Sequence, residues 1–317
     1  MLLPNVSAEV LNAPFDEPLM PTSVDDILKS NFSSEEIGSE SSFGSHRIKT
    51  YMACEFRAYL TYVRKLVPVK ENQALALGTL VHACFARHYM TGGRDTWRPI
   101  EVVEPYLPEL ALEARSLLYA YFAKYATVEA ETWDVRAVEQ EVAARLTHDG
   151  KSCPLTARVD LVVAKRERGA PTSPWGPVPQ GVWLTDHKTA ARMSQEYIRG
   201  YAFDFQLMTQ AAIWRLADLD AVYGPLNGFM INILLKSKPP KFHRLEVAIT
   251  RAETERFLHS ITPRAVELYA KLQSKTKRAD EKYWPQNMAS CVGKYLCRMF
   301  DYCESSGTVP GVYREKA

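Results

Sequence analysis

A chain of 317 residues can bury one large core or two modest ones, and 46% hydrophobic with 24% charged residues excludes a disordered or fibrous protein. A net charge of +2 and a pI near 8.1 exclude a domain-wide basic field, so any nucleic-acid binding must rest on local patches. No uncharged apolar run approaches the roughly 20 residues of a membrane helix, and no basic region leads into an apolar export signal. The expectation is a cytoplasmic protein without membrane contact, in which six cysteines stand for thiols or metal ligands rather than disulfides.

Residues 1–44 carry scattered prolines, an acidic balance and a serine-rich run, and read as a flexible arm with one short helix around Val24 to Asn31. The folded domain is expected over 45–317. Ser45 would cap a helix in which Ile48, Tyr51, Met52, Phe56, Tyr59 and Val63 recur at three-and-four spacing. A second helix should span Ala74 to Tyr89, with Leu77, Leu80, Val81, Cys84 and Phe85 as its apolar stripe and Gly78 allowing close packing. A third follows from about Pro105 to Tyr125.

The period then changes to two. Trp133 to Val142 and Leu155 to Val163 read as strands about a turn at His148-Asp149-Gly150, and Val182 to Lys188 as the next strand after a proline-rich loop, 167–180. A helix is expected from Ser194 to about Leu219. Strands at 228–235 and 242–249 flank the basic turn 236–241, and Thr250 with Glu253 would box the start of a last long helix. The expected fold is α/β, a central mixed sheet flanked by helices behind a helical N-terminal part.

Two of these strands deliver acids. Alternation places Asp186 and Lys188 on one side of their strand and turns His187 away. Hard carboxylate oxygens from Asp160 and Asp186 suit Mg²⁺ or Mn²⁺, and a nearby ammonium can orient a water. For an acid alone, a solvated, ion-paired strand end is the commoner explanation; for His82 alone, a hydrogen-bonded core histidine is. Glu139 and Glu141 precede the Asp160 strand, and a solvated strand face describes them better than a place behind the metal.

Four motifs taken together change that balance. Gly78-x3-His82, Arg158-Val-Asp160-Leu-Val, Thr185-Asp186-His187-Lys188-Thr189 and Gln206 occur in the order and at separations similar to those of PD-(D/E)XK nucleases of the RecB and Cas4 type. The resemblance covers roughly residues 45 to 305 and implies a restriction-endonuclease-like core. It implies His82, Asp160 and Asp186 as metal ligands with the His187 carbonyl as a further one, Lys188 placing the attacking water, and Gln206 holding substrate or Lys188. Gln210 departs from the family's tyrosine at that position. An imidazole in the ligand set favours Mn²⁺ over Mg²⁺.

Cys291, Cys297 and Cys303 crowd thirteen residues, and Cys54 lies in Tyr51-Met-Ala-Cys54-Glu-Phe-Arg57, which resembles the cysteine-bearing helix of iron-sulfur nucleases of this superfamily. The resemblance implies a [4Fe-4S] cluster, with zinc as the other thiolate-held group, although the x5 spacings depart from the commoner pattern. Cys84 and Cys153 read as core residues.

The implied activity is a metal-dependent deoxyribonuclease working as an exonuclease on single-stranded or duplex DNA ends. Its setting would be recombination, repair or phage DNA metabolism in a prokaryotic or phage-infected cell. No Gly-x4-Gly-Lys-Ser/Thr loop is present, so a helicase or recombination protein would act in trans. Candidate phosphate contacts are Lys236, Lys238, Lys241 and Arg244, with Arg57, Arg64, Lys65 and Lys70; the tyrosines at 59, 62 and 89 are candidates for base stacking. The other reading is a DNA-binding or assembly module that keeps the fold with little activity.

Overall fold

The computed structural model describes residues 43–68, 73–165, 181–292, 296–305 and 312–315. The arm up to residue 42 with its short helix, Lys70 and the loop 167–180 lie outside the described residues. Among the described residues the five longest helices are α1 (Ser45–Ala53), α2 (Gln73–Met90), α3 (Pro108–Thr132), α4 (Phe205–Leu216) and α5 (Arg251–Gln273). Among the described residues no helix is long and apolar enough to cross a membrane.

The sheet runs β1 (Trp133–His148), β2 (Lys151–Lys165), β3 (Val182–Ala190), β4 (Leu226–Leu235) and β5 (Lys241–Val247), side by side in that order. Asp149 and Gly150 both take positive φ, 48° and 71°, the geometry that lets a two-residue turn match the strand twist of the β1–β2 hairpin. Every neighbouring pair is antiparallel except β3 and β4, whose parallel pairing demands a crossover, and the chain supplies α4 within it. The sheet is therefore mixed and flanked by helices, the restriction-endonuclease-like plan.

Alternation decides what each face meets. On β2, Cys153, Leu155, Ala157 and Val159 are buried in the main core with Trp214 of α4, Ile48 and Tyr51 of α1, and Ile261 and Leu268 of α5. On the other side α2 and α3 pack Leu77, Leu80, Phe85, Leu118 and Tyr121 into a second core that includes Leu234 of β4. Cys84 and Cys153 are core residues, as their lack of cysteine neighbours implies.

Strand pairing between β2 and β3 is short, from Ala164 opposite Val182 to Leu161 opposite Thr185. Beyond that point β2 continues with β1 down to Lys151, and β3 continues with β4 up to Ala190. The sheet thus forks, and one further step along the same register would set Asp160 opposite Asp186 at the mouth of the fork.

Several boundaries differ from expectation, α3 running on to Thr132 and β1 to His148, past the expected Tyr125 and Val142. The first helix is broken at Cys54, which is extended (φ −163°, ψ 115°), and resumes as Glu55–Ala58 and a π-helical turn Tyr59–Val63. Gly44, not Ser45, occupies its N-cap. The helix expected from Ser194 to Leu219 is interrupted before α4, because Asp204 caps a new start by accepting from the backbone N–H groups of Gln206 and Leu207 at 2.9 and 3.1 Å. Gly78 is not needed for packing: a Cβ there would meet Thr189 Oγ1 at an ordinary 3.6 Å. The Thr250–Glu253 capping box is present.

Candidate active site

Asp160 stands where β2 loses its partner, and its side chain replaces the missing ladder bond: Oδ2 accepts from the His187 backbone N–H at 3.1 Å. The same oxygen lies 3.1 Å from Nδ1 of His82, which α2 carries to the fork. Glu139 on β1 joins them. Ligand atoms of His82, Glu139 and Asp160 all lie within 4.8 Å of one another.

Glu139 reaches this position because it has a left-handed backbone, φ 48°, just beyond a register shift at Val135/Ala137. The side chain, 11% exposed, is held by Arg158 Nε at 2.7 Å. Its inclusion overturns the solvated-face reading. The signal that could have found it is its place one turn-free strand away from Asp160, since Val138 opposite Leu161 and Gln140 opposite Val159 make Glu139 and Asp160 cross-strand neighbours.

On β3, Asp186 and Lys188 share a side and touch, Lys188 Nζ donating to Asp186 Oδ1 at 2.8 Å. Gln206, in the first turn of α4, donates to the same Asp186 oxygen at 3.2 Å and accepts from Lys188 at 3.4 Å. Asp186 Oδ2 is buried without any hydrogen-bond partner. A buried, unpartnered carboxylate oxygen is costly unless a cation completes it. Asp186 stands outside the close group of His82, Glu139 and Asp160, although the Asp160 and His82 charges act on it; together the four residues offer hard oxygens and one imidazole, a donor set that fits Mg²⁺ or Mn²⁺.

His187 turns away, as alternation requires. Its ring stacks on Phe85 of α2 at 3.8 Å and 9° and meets Asn232 Nδ2 at 3.5 Å. Behind it, Asn232 accepts from Arg244 Nε at 2.7 Å. Arg244 lies over Tyr125 and Trp133 at 4.4 and 4.5 Å and pairs with the buried Glu129, which also accepts from Tyr89 and Tyr121 at 2.8 and 2.7 Å. Arg244 and Tyr89 are thereby tied into the interior, and Tyr59 is buried. Lys238 and Lys241 stay exposed, Lys236 lies 3.8 Å from Glu113, and Arg64 lies 3.9 Å from Glu315.

The electrostatics divide these groups sharply. Burial works against a charged His82, yet Asp160 outweighs it and brings His82 up to about 9. Burial and the Asp160 charge push Glu139 up to about 7. Burial would raise Asp160, but His82 holds it well below the usual carboxylate range, whereas burial leaves Asp186 raised despite Lys188. Lys188 is held above the usual ammonium range because Asp186 and Asp160 more than offset its burial. Burial drops His187 to about 3, so that ring is neutral.

Gln210, where the family's tyrosine would stand, is buried and donates to the Arg158 carbonyl at 2.8 Å. It braces β2 next to Asp160. Cys54 Sγ accepts from Asn287 N–H at 3.4 Å, and the Cys303 thiol is pushed up to about 11 by burial and by Cys291, Cys297 and Cys54 around it. The fold therefore gathers the four cysteines at one end.

The comparison with curated proteins returns no match. A crystal structure from Eubacterium rectale, "Putative exonuclease", is 12% identical, with 87% of this chain and 95% of that one covered and a TM-score of 0.42. The crystal structure of SSO0001 is 13% identical over 84% and 95% of the two chains, at 0.30. Residues 43–305 match the family described as the PD-(D/E)XK nuclease superfamily. That match runs from the start of α1 past the last cysteine, and on it the chain belongs to the PD-(D/E)XK nuclease superfamily.

Proposed function

We propose that this protein is a metal-dependent DNA nuclease of the RecB and Cas4 type, working as an exonuclease at DNA ends. The superfamily hydrolyses phosphodiester bonds in nucleic acid and uses divalent metals, and the observation that carries the reading to these residues is the unpartnered Asp186 oxygen at the fork. His82, Glu139, Asp160 and Asp186 would hold the ion, with the His187 carbonyl as a further ligand by family resemblance. When bound, such an ion neutralises phosphate charge and makes a water more acidic.

The chain's own groups do the rest. Lys188, whose charge is secured by two aspartates, donates to the attacking water or to the phosphate and is not a base. Gln206 fixes Lys188 and Asp186 relative to each other, so a loss at Gln206 would blur the water's position. The water attacks phosphorus and gives up a proton to solvent, the bond to the bridging oxygen breaks, and that oxygen leaves with a proton drawn from solvent.

Cys54, Cys291, Cys297 and Cys303 would hold a [4Fe-4S] cluster, supported by their convergence; iron and acid-labile sulfide in equal amounts, not zinc, is the expected analysis. Gln210 favours one competing reading, a DNA-binding or assembly module, since no tyrosine hydroxyl is offered there. In the deciding assay, end-labelled and circular DNA are incubated with Mn²⁺ and wild-type or Asp186→Ala protein. Loss of end label by wild type alone is expected, at least a hundredfold faster than the variant. Cleavage of circles would remove the exonuclease claim. Intact DNA with wild type, while Lys188→Ala still binds it, would establish the binding module.

A further inference from the structure

A cavity of about 340 Å³ lies away from the fork, between the start of α1, the end of α5 and the far part of β2. That is the size of small-ligand sites. Arg47, Arg278, Phe43, Tyr62, Tyr269 and Pro154 line it, and no carboxylate does among the described residues. Arg47 Nε is buried without a hydrogen-bond partner, and its guanidinium lies 5.1 Å over the Tyr62 ring. α1 itself begins there with no side-chain cap and no acid in its first turn, so its N-terminal field adds to the two guanidiniums. Cationic forks beside half-buried aromatic rings are the chemistry that takes a phosphate and stacks a base.

The cavity is joined to the fork by one row of side chains. Pro154, Thr156, Arg158 and Asp160 occupy alternate positions on β2 and are half-buried, while the residues between them are buried. Six residues of strand separate Pro154 from Asp160, roughly 20 Å at 3.3 Å each, or on the order of six nucleotides at the 3.4 Å spacing of a stacked strand. We infer that this cavity is a second DNA subsite, which grips one nucleotide about six residues along the strand from the scissile phosphate, with Arg47 and Arg278 on its phosphate and Tyr62 or Tyr269 against its base. The inference rests on the nuclease reading above for its ligand, but not on catalytic turnover for its test.

The test measures binding of a fluorescent single-stranded 16-mer and a 4-mer to metal-free protein across a range of salt. Arg47→Ala should bind the 16-mer about tenfold more weakly, and the slope of log affinity against log salt should shrink by about 0.7, the share of one lost phosphate contact. Lys49→Ala removes an equal charge from the exposed side of the same helix and should stay within twofold of wild type. The 4-mer, which cannot occupy the fork and the cavity together, should bind wild type at least tenfold more weakly than the 16-mer does. Equal losses in the Arg47 and Lys49 variants, no loss in either, or equal affinity of wild type for the two lengths would each overturn the subsite. DNA cleavage by a wild type whose binding is matched by Arg47→Ala defeats the subsite alone; absence of cleavage by wild type defeats the nuclease reading instead.

Discussion

Glu139 shows how one backbone angle can change a residue's chemistry. In the sequence it is one acid among several in an alternating stretch; a left-handed φ and a register shift bring it against Asp160 and His82. Two groups there hold protons more firmly in the folded chain than outside it, Glu139 at about 7 against 4.5 and His82 at about 9 against 6.5. For both, the raised folded value means a stabilising contribution complete below the unfolded pKa and lost as pH rises through the folded one. The metal-free protein should therefore melt at progressively lower temperature from pH 6 to pH 9. Added Mg²⁺ should raise the melting temperature more at pH 9 than at pH 6, because the ligands bind it deprotonated. Calorimetry with and without chelator checks this, and Glu139→Gln should flatten the lower half of the profile. A melting temperature that is constant or rises with pH would contradict it.

At the scale of elements, β4 and β5 hold the site from behind. Glu129 at the end of α3 is buried, and Arg244 of β5 depends on it while reaching Asn232 and, through it, the His187 ring. Removing the acid leaves a guanidinium between aromatic rings without its counter-charge. Glu129→Ala should cost about 3–5 kcal/mol in urea unfolding; a cost under about 1 kcal/mol would mean that Arg244 finds water instead. This network was hidden in the sequence, where Arg244 sat beside a basic turn and suggested phosphate contact, because no periodicity tells which charged residue of an edge strand turns inward. What was legible followed from local rules. Period-two apolar runs gave five strands, Thr250-x2-Glu253 gave the start of α5, and Asp-x-Lys gave a shared strand face. The break before α4 was legible too, in Asp204 ahead of Phe205-Gln206, but apolar spacing that continued across it masked the cap. The fork was not: where two strands part depends on their neighbours, not on either strand.

For the whole molecule, the chain's last described stretches close on its first helix. The break at Cys54 exposes the Ala53 carbonyl, which accepts from Asn287 Nδ2 at 2.9 Å, while Phe56 N–H donates to the Pro285 carbonyl at 3.1 Å and Arg298 reaches Thr61 at 3.3 Å. Trp284 packs between Tyr51 and Tyr59 at 6.3 and 5.7 Å. These contacts bring Cys54 to Cys291, Cys297 and Cys303 without requiring a cluster to do so, which separates two contributions to stability. A cluster would add a covalent closure to a loop of more than 200 residues, and closing so long a loop removes disorder chiefly from the unfolded chain, worth about 2–5 kcal/mol. Cys297→Ser should therefore lose iron, lower the unfolding free energy by that order, and speed protease cleavage within 285–305, whereas Asp186→Ala should do none of these. Because the hydrogen bonds of Asn287 and Phe56 remain, the variant should still fold and still bind DNA at the fork. Retention of iron and of full stability by Cys297→Ser would leave the cysteines as buried thiols and the closure to side-chain packing alone.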